Sequence, residues 1–228
     1  MDFSTYFRLA LSSGNALLPG ATVTWLSMHL GWAIVLGAVT LQLASRLPTR
    51  GRWTLASLVW LWTLLPGAAS PAFWLGLAFQ SPSLMGVVFC IAWLWPRPGP
   101  VAGAVDLRAT ADSGSQKVLL LLAVVLGWVL LLDTLAWFPV SIYAWGFGSA
   151  AVALALLAAA LLWLLSGSRA TVSLLAVLAL FVLTRAPSGN LWDALLDPLF
   201  WLALQFGWLF NLARRHWMAR RPSPATLV

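Results

Sequence analysis

A chain of 228 residues that is 61% hydrophobic and only 8% charged cannot cover a water-facing surface, since soluble domains carry about 25% charged residues; its solvent is largely lipid. The net charge of +7 does not mark a nucleic-acid binder, because the basic residues flank apolar stretches instead of forming a soluble patch. A single cysteine, Cys90, excludes a disulfide framework and a thiolate metal site.

The first 20 residues start with Asp2 and lack a positive region ahead of an apolar core, so no cleavable signal peptide is expected. Phe3, Phe7, Ala10 and Leu11 follow a helical spacing, which predicts an interfacial helix within 1–19, on the outer side. A spanning helix needs about 20 apolar residues. Apolar stretches near 20–45, 50–66, 71–95, 117–138, 140–166, 169–185 and 194–214 predict seven of them, an all-α membrane helix bundle in one domain over 20–214. The connector 96–116 is rich in Pro, Gly, Ala and Ser and reads as a flexible linker. Residues 215–228 read as a basic cytoplasmic tail without fixed structure.

Charge orients the ladder. Arg46, Arg50, Arg52, Arg97, Arg108, Lys117, Arg169, Arg214, Arg215, Arg220 and Arg221 fall on one side, and only Arg8 and Arg185 on the other. The positive-inside rule then predicts an outside N-terminus and a cytoplasmic C-terminus, facing an anionic leaflet. The 16 tryptophans suit a chain with many acyl–headgroup boundaries. Arginine outnumbers lysine twelve to one and Glu is absent; that bias points to a GC-rich bacterial genome and an inner membrane.

Pro19, Pro71, Pro139 and Pro198 stand where the four odd-numbered spans begin, each followed by a Trp at position six (Trp25, Trp145) or three (Trp74, Trp201). Proline is well placed in a first helical turn. Ser70-Pro-Ala-Phe-Trp-Leu-Gly-Leu77 parallels Asp197-Pro-Leu-Phe-Trp-Leu-Ala-Leu204, and Arg52-Trp-Thr-Leu parallels Arg169-Ala-Thr-Val. Two explanations fit: a parallel three-plus-one-plus-three repeat, as transporters use, or interfacial chemistry shared by unrelated helices. The arrangement, the outside N-terminus and the chain length resemble the SWEET sugar transporters in architecture, whereas the Pro-Gln dipeptide of their wider family is absent here.

Polar side chains inside a bilayer are costly and often functional. At about 1.5 Å of rise per residue, His29, Gln80 and Gln205 lie about 15, 13 and 10 Å from the prolines that open their spans. Ser81, Pro82 and Ser83 follow Gln80, and Pro82 removes a helix hydrogen bond. His29, Gln80, Ser81, Ser83 and Gln205 are therefore the candidate lining of a mid-membrane cavity. The alternative is that they bond neighbouring helices. His29 is a candidate proton relay, but its only fellow histidine is His216, so no metal is expected.

Asp133, Arg185, Asp193 and Asp197 form a candidate charged cluster on the outer face. Asp197 precedes Pro198 and suits an N-cap, Asp133 is a candidate partner of Arg185, and Asp133 with Asp193 could work as acid and base. Gly146, Gly148, Ala150, Ala151 and Ala158–Ala160 predict a close helix contact.

No P-loop, HExxH, CxxC or GxSxG motif is present, and no cofactor is expected. Two functions follow: a non-enzymatic accessory or structural subunit bound to a larger membrane complex, or a small-solute permease. A lipid-modifying enzyme using Asp133 and Asp193 ranks third.

Overall fold

A computed structural model describes residues 17–94, 114–166 and 168–219. All regular structure among them is helical. The expected interfacial helix, most of the linker and the end of the tail lie outside the described residues.

Among the described residues, the seven apolar stretches hold ten α-helices. They are α1 (Ala21–Leu43), α2 (Thr49–Thr63), α3 (Pro71–Phe79), α4 (Leu84–Leu94), α5 (Gly114–Thr134), α6 (Ile142–Trp145), α7 (Ser149–Ser166), α8 (Arg169–Thr184), α9 (Leu191–Leu195) and α10 (Pro198–Ala219). Three stretches are interrupted, the third where Pro82 predicts a break and the fifth and seventh where continuous helices were expected. The third breaks at Gln80–Ser83, the fifth at Gly146–Gly148 and the seventh at Leu196–Asp197. In the third, Pro82 has no N–H for a helix bond. In the seventh, Pro198 forces the preceding residue out of the helical region. Helix α10 continues to Ala219, past the 214 expected.

Among the described residues, two helices are long and apolar enough to cross a membrane, over Ala21–Arg46 and Lys117–Thr134, and Leu84–Leu94, Ser149–Leu165 and Ala170–Thr184 are shorter apolar helices.

Small polar residues start several of these helices. Ser70, Ser141, Ser168 and Asn190 each accept a backbone N–H from the turn they open, which satisfies donors that a helix N-terminus leaves unpaired. Pro71 follows its Ser70 cap at the first helical position. The uncharged turn between α2 and α3 is closed by indoles as well. Trp62 Nε1 donates to the Ala69 carbonyl at 2.8 Å and Trp74 Nε1 to Ala68 at 2.9 Å.

Helix α4 is central. It packs on α1, α8 and α9; α1 also packs on α2 and α3, α8 on α7, and α5 on α10 and α6. The core joins Leu84 of α4, Val152 and Ala159 of α7, Val177, Leu178 and Phe181 of α8, and Leu191 and Ala194 of α9. The helices turn large apolar side chains outward: Leu77, Leu122, Leu165, Leu183 and Phe210 are all exposed. Almost none of Lys117–Thr134 is buried.

Candidate functional site

The break in the third stretch is closed from within the protein. Gln80 ends α3 with φ 63° and ψ −149°, a region that residues other than glycine rarely occupy. Its carbonyl accepts the Trp32 indole N–H of α1 at 2.8 Å. Pro82 is buried against α1 at Gly31, where an added Cβ would lie 2.9 Å from the proline ring. Ser83 is fully buried and caps α4: its hydroxyl accepts the Gly86 N–H at 3.1 Å.

Asp197 completes this joint. One carboxylate oxygen accepts the Ser83 N–H at 2.8 Å and the Ser83 hydroxyl at 2.7 Å. The other accepts the Phe200 N–H of α10 at 2.8 Å. A single carboxylate therefore caps α10 directly and α4 through Ser83. Helix N-termini carry partial positive charge and unpaired N–H groups, and here two of them converge on the protein's own anion. Gly86 allows the approach, since a Cβ there would lie 3.0 Å from Ser83 Oγ and 3.4 Å from Phe200 Cβ.

The five candidate cavity residues do not share one environment. Gln80 is exposed and Ser81 and Gln205 are partly buried, while His29 and Ser83 are buried. No hydrogen bond joins Gln80 to Gln205 among the described residues. The His29 Nδ1 lies 3.0 Å from the Trp25 carbonyl, which can only accept, so Nδ1 carries the proton. Its ring stacks on Trp25 at 4.3 Å between centroids, and Nε2 is buried without a hydrogen-bond partner.

The four charges expected on the outer face separate in the same way. Asp197 belongs to the Ser83 joint. Arg185 does not pair with Asp133, contrary to the sequence expectation; its guanidinium lies over the Phe181 ring at 5.3 Å. Asp133 instead accepts the Ser141 hydroxyl at 3.0 Å and the Tyr143 N–H at 2.7 Å. The reason is local. A return of eight to ten residues brings these donors back to the end of α5, and they take up the carboxylate.

Asp193 accepts the Tyr143 hydroxyl at 2.8 Å and the Ser188 hydroxyl at 2.5 Å. Tyr143 thus stands between the two aspartates. The fully buried Asn190 donates its amide to the Tyr143 carbonyl at 2.9 Å and accepts the Trp192 N–H at 2.9 Å. Trp192 Nε1 donates to the Ile142 carbonyl, and the Leu191 N–H to that of Gly146. This clamp fastens α6 to α9. Gly146 is required at its centre, because a Cβ there would fall 2.0 Å from Asn190 Oδ1. Sequence reasoning missed Tyr143, Ser188 and Asn190. The crowding of Ser188, Asn190 and Asp193 beside an apolar stretch was the available signal.

As chemistry, both arrangements are structural hydrogen-bond networks. Each carboxylate already holds two or three donors, the pattern of structural satisfaction. No group of three or more His, Cys, Asp or Glu able to hold a metal occurs among the described residues. No protein-family model, curated protein or solved structure matches the chain.

Proposed function

We propose that this chain is a seven-span bacterial inner-membrane protein, with its N-terminus outside and C-terminus in the cytoplasm, that serves as a non-enzymatic accessory or structural subunit of a larger membrane complex. One observation carries the choice. The polar groups that the broken third stretch buries, the Gln80 carbonyl and the Ser83 N–H and hydroxyl, are bonded to Trp32 and Asp197 within the protein, which supports a structural joint there over a substrate site. The spans are α1, α2, the pair α3 and α4, α5, α7 with α6 at its outer end, α8, and α10 with α9 at its outer end. The side of α5 bearing Leu121, Leu122, Val125 and Trp128 is exposed and supports docking against a partner helix within the bilayer.

Purification of the full chain in mild detergent tests this. A stoichiometric membrane partner is expected, lost on Leu122→Gln with Val125→Gln; a monodisperse orphan overturns the reading.

A second reading, a small-solute permease, draws on one observation, the buried and unpartnered Nε2 of His29. It requires that Gln80→Leu and Gln205→Leu abolish uptake at unchanged protein level. Unchanged transport in both removes it.

A further inference from the structure

Between α1 and α2 runs an open groove of about 210 Å³, lined by Ala33, Gly37, Leu41, Ala56, Trp53 and Trp60 among others. Its wall is apolar apart from Ser57. Gly37 shows that the space is real: a Cβ added there would meet nothing within 4 Å. At the end nearest the turn between the helices, Arg52 Nη2 donates to the Leu41 carbonyl at 3.2 Å. The Nε of the same guanidinium is buried and has no partner. A buried donor without an acceptor is costly, and a guanidinium is a planar fork of five N–H donors that matches phosphate oxygens. Arg46 and Arg50 are exposed in the same turn.

We propose that this groove binds one anionic phospholipid, with an acyl chain along Gly37 and Ala56 and the phosphate at Arg52. The inference rests on the membrane reading above. An acyl chain is unbranched, apolar and supplied by the bilayer, as the groove demands. A partner helix, about 10 Å across with its side chains, is too wide for this volume. Free phosphate would leave the apolar wall unused, and a zwitterionic headgroup would bring no net charge to three clustered arginines. Positive charge at this turn is also where an anionic cytoplasmic leaflet would lie.

Native mass spectrometry of the full-length, delipidated protein, titrated with phosphatidylglycerol and phosphatidylcholine of identical chains, tests the site. One phosphatidylglycerol should be retained with a preference of about tenfold or more. Arg52→Gln should remove most of that preference, and Arg52→Lys should remove part of it, since charge survives but the fork does not. Gly37→Leu, which fills the groove, should weaken both lipids. Equal retention of the two lipids, or unchanged binding in both Arg52→Gln and Gly37→Leu, overturns the proposal. Displacement by millimolar inorganic phosphate would assign the site to a free anion and also overturns it. Failure of the membrane reading is distinct: alkaline carbonate would then release the protein from membranes before any lipid is added.

Discussion

Ser83 and Asp197, 114 positions apart in the chain, are joined by two hydrogen bonds to one carboxylate oxygen, from the Ser83 N–H at 2.8 Å and its hydroxyl at 2.7 Å. In discontinuous membrane helices, such N-termini point at an anionic substrate. Here an aspartate of the chain fills that place, which converts a binding geometry into a structural joint between α4 and α10.

Asp197→Ala should therefore destabilise the protein by about 2–4 kcal/mol, because it strands the Ser83 and Phe200 donors together. Asp197→Asn should cost less, since its carbonyl still accepts. Ser83→Ala alone should cost about 1 kcal/mol. Thermal unfolding in detergent reads all three, and the double variant must fall short of the sum of the single ones; full additivity would mean that the bridge does not form.

Gln80 holds φ at 63° while its side chain is exposed. Gln80→Gly should raise stability by about 1 kcal/mol through relief of that backbone. A drop in melting temperature would show that the side chain, not the carbonyl bonded to Trp32, matters at this position.

Gly146 and Gly37 make a matched pair. Gly146→Ala would push a methyl into Asn190 and should cost about 1–3 kcal/mol. Gly37→Ala enters open space inside α1 and should gain about 0.5–1 kcal/mol. Similar effects at both positions would contradict the packing described.

In the clamp, Asn190→Ala removes two hydrogen bonds from a fully buried residue, whereas Tyr143→Phe leaves Asp193 with its Ser188 donor. About 2–4 kcal/mol is expected for the first and about 1 kcal/mol for the second. Chemical or thermal unfolding that reverses this order would displace Asn190 from the centre of the network.

The orientation has its own test. Cys90 is the only cysteine, so a Cys90→Ala background reports single introduced thiols. Trp137→Cys should react with a membrane-impermeant maleimide in intact cells, and Arg50→Cys only after permeabilisation. The opposite pattern would invert the topology.

Much of the local structure was legible. Asp197 was readable as an N-cap because it directly precedes Pro198, and Pro82 marked the third stretch as interrupted. Gly146 announced a close approach, which the Asn190 contact makes concrete. The charge pair of Asp133 and Arg185 was misread, because opposite charge is a long-range cue and nearby backbone and hydroxyl donors satisfied Asp133 first. Tyr143 and Asn190 were missed because their partnership spans 47 positions, and neither residue type signals such a contact alone.

What the sequence by itself determined is local: apolar stretches, the prolines and small polar residues that start helices, and the clustering of arginine in alternate connectors. Each depends on residues within a few turns of one another, where hydropathy and backbone sterics act. Only the tertiary structure decided which polar groups meet. Asp197 reaches Ser83 because α4 packs against α8 and α9, which bring the start of α10 to its N-terminus. A buried donor takes whatever acceptor packing delivers, and packing is the sum of contacts that no short stretch of sequence contains.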